Sequence, residues 1–181
     1  MIGLIGLMLL QESRRAARSS PEGDLILLDQ QDRSLWNRDQ IAEGVSFTEN
    51  ALASRRFSAY ILQAAIAAVH AEASSPASTD WRQITLLCNR LIRIQLSPVV
   101  ELNRAVVIAM REGPEQGLRL IDVLLAGQEF SSYHLTHSAR ADLYRRLGRL
   151  AEARDSYEKA LALVRCEPER RFLAGWLRER Q

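Results

Sequence analysis

The chain has 181 residues, of which 47% are apolar and 25% are charged, the composition of a soluble globular protein rather than of a disordered one. Its 24 basic and 22 acidic side chains leave a formal charge of +2, and this near balance argues against a surface dedicated to nucleic acid. A chain of this length buries roughly 70% of the surface that its unfolded form exposes. The fold is therefore expected to need neither a metal nor a disulfide.

The two cysteines and the N-terminal segment indicate the cellular compartment of the protein. Cys88 and Cys166 lie far apart without C-x-x-C spacing, which favours two small apolar side chains in a reducing cytoplasm. Residues 1–10 are apolar throughout, yet a bilayer takes about twenty residues to cross, and no signal-peptide pattern is present. We therefore expect a cytoplasmic protein in which this segment forms an interior helix. An interior helix at residue 1 also suggests an ancestral chain that began further upstream.

Helical spacing dominates the first half of the chain. Residues 1–18 are an apolar run with a basic end, which is typical of a helix C-terminus, and a break follows at residues 19–23. After the apolar run at residues 25–28, Asn37 is a candidate N-cap for a helix over residues 37–54. An alanine-rich helix over residues 58–73 is expected to approach its neighbours closely.

The second half is predicted to consist of paired helices. Thr79 or Asp80 is a plausible N-cap for a helix that reaches residue 94. Ser97 and Pro98 open the next helix, since proline is well tolerated in a first turn. That helix stops at residues 113–114, and a further break is expected at residues 127–132.

An internal repeat is the strongest pattern in the chain. The segment that starts at Arg104, RAVVIAMREGPEQGLRLIDVLL, aligns with the segment that starts 36 residues later at Arg140, RADLYRRLGRLAEARDSYEKAL. The alignment pairs Gly117 with Ala153, small residues that let the two helices of a hairpin touch. The second segment closely resembles the tetratricopeptide repeat, in which a tyrosine such as Tyr157 fills the gap to the next hairpin.

The resulting prediction is an all-α fold of stacked helical hairpins in a tetratricopeptide-like, right-handed superhelix. The hairpins are expected at residues 57–96, 97–131 and 134–181. Residues 1–56 supply N-terminal helices and a connecting segment that pack on the repeats, so that the chain forms one compact unit. Stacking is required because each hairpin has faces that it cannot bury alone.

Catalytic and metal-binding motifs are absent from the sequence. His134 and His137 are spaced to share a helix face, as some zinc ligands do, but no cysteine or third histidine is near them. A histidine packed between helices is the better interpretation, and it applies to His70 as well. The sequence has no nucleophile motif, Walker loop or dinucleotide-binding loop. We therefore expect no enzyme activity, no metal site and no cofactor.

The segment from Asp24 to Trp36, DLILLDQQDRSLW, combines acids with an apolar run. Its acids lack the spacing of a calcium-binding loop, so we interpret them as partners in salt bridges. Burying one leucine or isoleucine is worth about 1.5–3 kcal/mol, so the four such side chains at residues 25–28 are not all expected to stay in water. Our hypothesis is that the segment packs along the helical stack, with Asp32 or Arg33 paired to a charge on a neighbouring helix and Trp36 as anchor. The alternative is a linker that only covers an edge.

A more specific resemblance extends over the whole chain. It is carried by LIGLMLLQESRRAAR, EGDLILLDQQDRSLWNRDQIAEG, YILQAAIAAVHAEA, TDWRQI, SPVVELNRAVVIAMREGP and ARADLYRRLGRLAEA. Together these segments resemble the C-terminal extension of a group of bacterial extracytoplasmic-function sigma factors, in which a tetratricopeptide-like domain follows the promoter-reading modules. The resemblance implies a regulatory, protein-interaction role in transcription initiation, with the sigma modules upstream of Met1 in the full-length protein.

The resemblance also implies the partners. RNA polymerase would be contacted through the upstream sigma modules, whereas this chain would bind an unidentified protein and neither DNA nor a membrane. The alternative is a free-standing adaptor that binds a peptide or a small ligand in its groove, and an upstream reading frame that encodes sigma modules distinguishes the two. The candidate interaction or structural residues are Asp24, Asp32, Arg33, Trp36, Gln63, His70, Asn103, Arg104, Tyr133, His134 and Arg140.

Overall fold

The computed structural model describes residues 1–127 and 130–178. Within these ranges the chain forms α-helices and short 3₁₀ helices but no β-strand, which confirms the predicted all-α fold. The 3₁₀ helices lie at Arg15–Ala17, Arg33–Leu35 and Pro76–Ser78. The α-helices are α1 (Ile2–Glu12), α2 (Arg38–Ala53), α3 (Ala59–Glu72), α4 (Trp81–Ile94), α5 (Pro98–Glu112), α6 (Pro114–Ala126), α7 (His134–Arg146), α8 (Leu150–Leu163) and α9 (Glu167–Arg178).

Side-chain caps fix the starts of three helices. Asn37 accepts a hydrogen bond from the main-chain N–H of Gln40 at 3.0 Å and so begins α2. Asp80 accepts a hydrogen bond from the main-chain N–H of Gln83 at 2.9 Å at the start of α4. Ser58 caps α3 in the same manner. The caps predicted at Asn37 and Asp80 are confirmed, because a side-chain oxygen there satisfies an N–H that has no partner inside the helix.

The helices divide into two compact units. One comprises residues 1–22 and 26–96, and the other comprises residues 23–25 and the chain from Ser97 onwards. Within the first unit, α3 packs against α1 and α2 as well as against its hairpin partner α4. The boundary expected at residue 56 within one compact unit stays a prediction. The assignment of residues 57–96 as a repeat stays a prediction.

In the first unit, α1 lies unusually close to α2. A Cβ atom added at Gly6 would lie 3.1 Å from the carbonyl oxygen of Gly44, and one added at Gly44 would lie 2.9 Å from Leu10 Cγ. The two glycines therefore allow main chain to meet main chain where any other residue would separate the helices. Leu10, which is fully buried, fills the space beside this contact.

Only one face of α1 is buried, so the expectation of an interior helix was wrong. Gly3, Gly6 and Leu10 face the other helices, whereas Ile2 is 50% exposed and Met8 is 62% exposed. The helix also ends at Glu12 instead of continuing to residue 18, and Arg15–Ala17 form a 3₁₀ turn. A run that is apolar on all sides has no periodicity to show which face packs.

The second unit contains the hairpins α5–α6 and α7–α8, followed by α9, which packs on α8. A Cβ atom added at Gly117 would lie only 2.4 Å from Ala109 Cβ, so α5 and α6 touch at the small residue singled out by the repeat alignment. Ala141 and Ala160 are fully buried in the α7–α8 hairpin. Parts of the predicted break at residues 127–132 and of the predicted hairpin at residues 134–181 lie outside the described residues, at 128–129 and 179–181.

The two thiols have different environments. Cys88 on α4 is buried, whereas Cys166, just before α9, is exposed, and neither is joined in a disulfide. Among the described helices, none is both long enough and apolar enough to span a membrane.

Candidate functional site

A cavity of about 240 Å³ opens among α7, α8 and α9 of the second unit. Its walls are mostly apolar and aromatic side chains, and two arginines also line it. Small-molecule and cofactor sites typically enclose about 300–1,000 Å³, so this space suits a single inserted side chain better than a cofactor. We call it the α7–α9 groove; its lining includes Arg145 from α7, Leu150, Arg154 and Tyr157 from α8, and Trp176 and Leu177 from α9.

Trp176 is held in the groove by neighbours on several sides. Its ring lies parallel to that of Tyr157, with 6.3 Å between the centroids, and Phe172 packs edge-on at 6.2 Å. The guanidinium carbon of Arg145 lies 4.4 Å from the centroid of the Trp176 ring. Trp176 is therefore a positioned, half-buried aromatic side chain, of the type that dominates binding energy in protein interfaces.

Arg145 remains a cation beside this ring. Burial alone lowers its pKa, but the hydrogen bond and the negative charge of Asp142, together with Tyr157, raise the pKa of Arg145 above its ordinary value. Its Nε atom is buried without a hydrogen-bond partner. The groove thus offers an aromatic surface, apolar walls and a permanent positive charge, and its lining contains no pair of nucleophile and base.

The two histidines of α7 have separate partners. His134 Nε2 lies 3.0 Å from the Glu169 carboxylate of α9, and the ring of Tyr133 packs edge-on at 5.7 Å. His137 is buried, with its Nε2 at 3.0 Å from the carbonyl oxygen of Ser131. Each ring therefore serves packing between neighbouring segments. In residues 1–127 and 130–178 no three metal-ligating side chains come together.

The remaining candidates of the second unit lie apart from one another. Arg140 of α7 forms an ion pair with Asp122 of α6 at 2.8 Å, which links two consecutive hairpins. Arg104 is half-buried and Asn103 is exposed on α5. None of these three candidates lines the α7–α9 groove.

In the first unit, Arg33, Trp36 and His70 come together. Trp36 is only 3% exposed, and the guanidinium carbon of Arg33 lies 4.4 Å from its ring centroid. Arg33 Nη1 donates hydrogen bonds to the carbonyl oxygens of His70 at 3.0 Å and Ala73 at 2.6 Å, at the negative C-terminal end of α3. Gln63 is half-buried on the same helix.

In residues 1–127 and 130–178, neither Asp32 nor Arg33 forms the ion pair to a neighbouring helix that the hypothesis expected. Arg33 binds main-chain carbonyls instead, because the end of α3 presents acceptors that no further turn of helix satisfies. Asp32 accepts a hydrogen bond from the main-chain N–H of Ser34 at 2.8 Å and caps the 3₁₀ helix.

The apolar run in the same segment is only partly buried. Leu25 is 37% exposed and Leu27 is 39% exposed, whereas Ile26 and Leu28 are half-buried. Two of the four side chains therefore keep substantial contact with water and two do not. Asp24 belongs to the second unit, where its carboxylate lies 3.0 Å from Arg171 Nε of α9. The Arg171 side chain also donates to the carbonyl oxygen of Gly23.

Sequence reasoning missed several residues of the α7–α9 groove and of the group around Trp36. Trp176 and Arg145 are 31 positions apart, and the repeat alignment ends before α9. A signal existed in the spacing of Phe172 and Trp176, which places two aromatic rings on one face of α9. Arg14 was interpreted as part of a basic helix end and as a candidate salt-bridge partner, whereas its guanidinium carbon lies 5.8 Å from the Trp36 ring centroid.

Two family models match parts of the chain. Residues 134–165 match the tetratricopeptide repeat, which confirms the predicted repeat at α7–α8. Residues 1–52 match a family described as of unknown function, DUF6596. Tetratricopeptide repeats are typically non-catalytic modules, and their presence indicates a protein-interaction role for this chain.

A curated relative from Rhizobium meliloti (strain 1021), named as an uncharacterized protein, is 46% identical over 164 residues. The match covers 91% of this chain but 38% of the relative, so the chain spans well under half of that protein's length. No solved structure matches the chain.

Proposed function

We propose that this chain is the C-terminal regulatory domain of an extracytoplasmic-function sigma factor and that it binds a protein segment in the α7–α9 groove. The observation that carries the proposal is the Trp176 ring of α9, which is positioned beside Arg145 of the tetratricopeptide-repeat hairpin. Sigma modules outside this chain would read the promoter and contact RNA polymerase. The chain itself would tune their activity through its bound partner.

Three observations support the sigma-factor part of the proposal. The segments that resemble the family extension are distributed from α1 to α8 and include the segment that carries Arg33 and Trp36. The curated relative has more than half of its length outside the match, which leaves room for additional modules in a protein of this kind. The formal charge of +2 agrees with a domain that leaves DNA binding to other modules.

The groove favours a partner that inserts one apolar side chain. Closing the cavity over such a side chain removes the exposed surface of Leu150 and Trp176 from water, which provides the main binding energy. A single well-packed aromatic anchor contributes about 2 kcal/mol or more in protein interfaces. Arg145 and Arg154 at the same groove select partners that carry a negative charge next to the apolar side chain.

The test uses the full-length protein translated from the reading frame that contains this chain, assayed for transcription with core RNA polymerase in an extract of the host cells, which supplies the partner. Leu150→Asp places a charge in the groove at a side chain that is 48% exposed. Leu135→Asp is the matched control, because Leu135 is 40% exposed on α7 and does not line the groove. We expect the first variant to change transcription by about tenfold and the second to leave it unchanged.

Other outcomes separate the proposal from its alternative. A reading frame without promoter-reading modules would overturn the sigma-factor role and favour a free-standing adaptor that uses the same groove. Equal effects of the two variants would show that the groove is not the interaction site. The isolated chain is expected to neither start transcription nor bind promoter DNA specifically, and tight sequence-specific binding at physiological salt would contradict this.

A further inference from the structure

We propose that the arginine cluster around Trp36 in the first unit is a binding site for a phosphate-class oxyanion, held by the guanidinium groups of Arg14 and Arg33. The site is independent of the α7–α9 groove and of the sigma-factor role. It brings together side chains from the turn after α1, from the 3₁₀ helix before α2 and from the end of α3.

The geometry places two cations at one aromatic ring. The guanidinium carbons of Arg14 and Arg33 lie 5.8 Å and 4.4 Å from the centroid of the Trp36 ring. The buried ring is a rigid support that limits how far either arginine can move away. Two forked guanidinium groups held in this manner match the tetrahedral oxygens of a phosphate, which arginine recognises by paired hydrogen bonds.

The positive charge of the cluster is not balanced by acids. Within the described residues neither Arg14 nor Arg33 forms an ion pair, and the charged groups that act on them are other arginines. Burial, followed by Arg18 and Arg33, lowers the pKa of Arg14 to about 10. Burial, followed by Arg14 and Arg33, lowers the pKa of His70 to about 4, so His70 is neutral at pH 7 and adds no charge.

Hydrogen-bond donors in the cluster are also left over. Arg33 Nε and Trp36 Nε1 are buried without partners. Arg14 donates through one nitrogen, to Gln11 Oε1 at 2.9 Å, and this acceptor is neutral. Both arginines are half-buried, and partly buried cations without a counter-charge are less well solvated than exposed ones. A bound anion would offset that cost. A phosphate carries about −1.5 to −2 at pH 7, which balances the charge of two guanidinium groups that have only neutral hydrogen-bond partners better than a single carboxylate does.

The test measures binding of inorganic phosphate, pyrophosphate and ADP to the 181-residue chain by calorimetry and thermal unfolding, with chloride added to equal ionic strength. We expect saturable binding of at least one anion and a rise in melting temperature of ~3 °C at saturation. A preference for ADP over pyrophosphate would identify a nucleotide as the source of the phosphate group. A preference for pyrophosphate or phosphate would identify a free anion.

Paired variants locate the site. Arg14→Gln should weaken anion binding by at least ~10-fold, since one charged fork is lost. Arg15→Gln is the matched control, because the Arg15 side chain is 80% exposed and pairs with Glu12; it should bind within about twofold of the wild type. Equal losses in both variants, or an equal response to chloride, would overturn the proposal.

A second measurement on the unaltered chain covers the case in which Arg14→Gln does not fold. Phenylglyoxal modifies accessible arginines, and mass spectrometry identifies which ones react. Bound phosphate should slow the modification of Arg14 and leave that of Arg15 unchanged. No selective protection of Arg14 at millimolar phosphate would overturn the proposal.

Discussion

Trp36 and Trp176 make the same contact in two different settings. Each ring has an arginine guanidinium carbon 4.4 Å from its centroid. Trp36 is buried, and its arginine donates to the carbonyls at the end of α3. Trp176 is half-buried beside a cavity, and its arginine pairs with Asp142. The tryptophan–arginine contact alone therefore does not define a role; burial of the ring and the partner of the arginine do.

The largest expected difference between the two rings is in stability. Trp36→Ala should lower the free energy of unfolding by about 3–5 kcal/mol, because it leaves a cavity in the core of the first unit. Urea unfolding followed by circular dichroism measures this change. A loss below about 1 kcal/mol, the level expected of a surface position, would show that the segment is a loose linker despite the burial of Trp36.

The pH dependence of the free energy of unfolding should distinguish the cluster around Trp36 from the one around Trp176. His70 has its pKa lowered to about 4 by burial and by Arg14 and Arg33, whereas unfolding restores an ordinary value near 6.5. The unfolded state therefore takes up more protons as the pH falls, and stability is complete above pH 6.5 and is lost between pH 6.5 and 4. From pH 7.5 to 5 the loss attributable to His70 should be about 2 kcal/mol.

The measurement compares urea unfolding of three proteins at pH 7.5 and pH 5. His70→Gln should lack most of the pH-dependent loss that the unaltered chain shows. His134→Gln, which changes the histidine beside Glu169 in the second unit, should retain it. The same pH response in the unaltered chain and in His70→Gln would contradict the assignment to His70.

Trp176→Ala should have a smaller effect on stability than Trp36→Ala. The ring is half-buried, so the expected loss in free energy of unfolding is about 1–2 kcal/mol. Partner binding should decrease more, because the aromatic surface of the groove is removed. If Trp176→Ala costs as much stability as Trp36→Ala, Trp176 is a core residue and the comparison between the two clusters fails.

Asp142→Asn should have the smallest effect. The Asp142 and Arg145 side chains are 41% and 27% exposed, and pairs of this kind contribute about 0.2–1 kcal/mol. The free energy of unfolding should fall by no more than about 1 kcal/mol. Arg145 should then bind an acidic partner peptide more tightly, since the Asp142 carboxylate beside it has been replaced by a neutral amide. Calorimetry with the identified partner would measure this.

Local signals predicted much of the fold. Asn37 was identified as a cap, and a second cap was placed at Thr79 or Asp80, because a cap depends only on the following three residues. The hairpin from α7 to α8 was identified because small residues recur at fixed spacing where its helices touch. The outward face of α1 was missed, since an all-apolar run contains no periodicity, and packing against α2 and α3 decides which side is buried.

Neither cluster was fully predictable from the sequence. Arg33 and Trp36 are close in the chain, but their position beside the end of α3 depends on a tertiary contact 37 residues away. Arg14 joins them from the turn after α1, and no short-range pattern links these elements. Arg145 and Trp176 likewise meet only because α9 folds back onto α8. Contacts of this kind follow from helix packing, which composition and periodicity do not specify.

The unequal burial of the two thiols gives the chain a natural site for selective labelling. A maleimide dye should react with Cys166, which is exposed, and leave Cys88, which is buried. Cys166 directly precedes α9, the helix that carries Trp176 into the groove. A fluorophore at this position would therefore sense occupation of the groove through its emission, without any change to the amino-acid sequence.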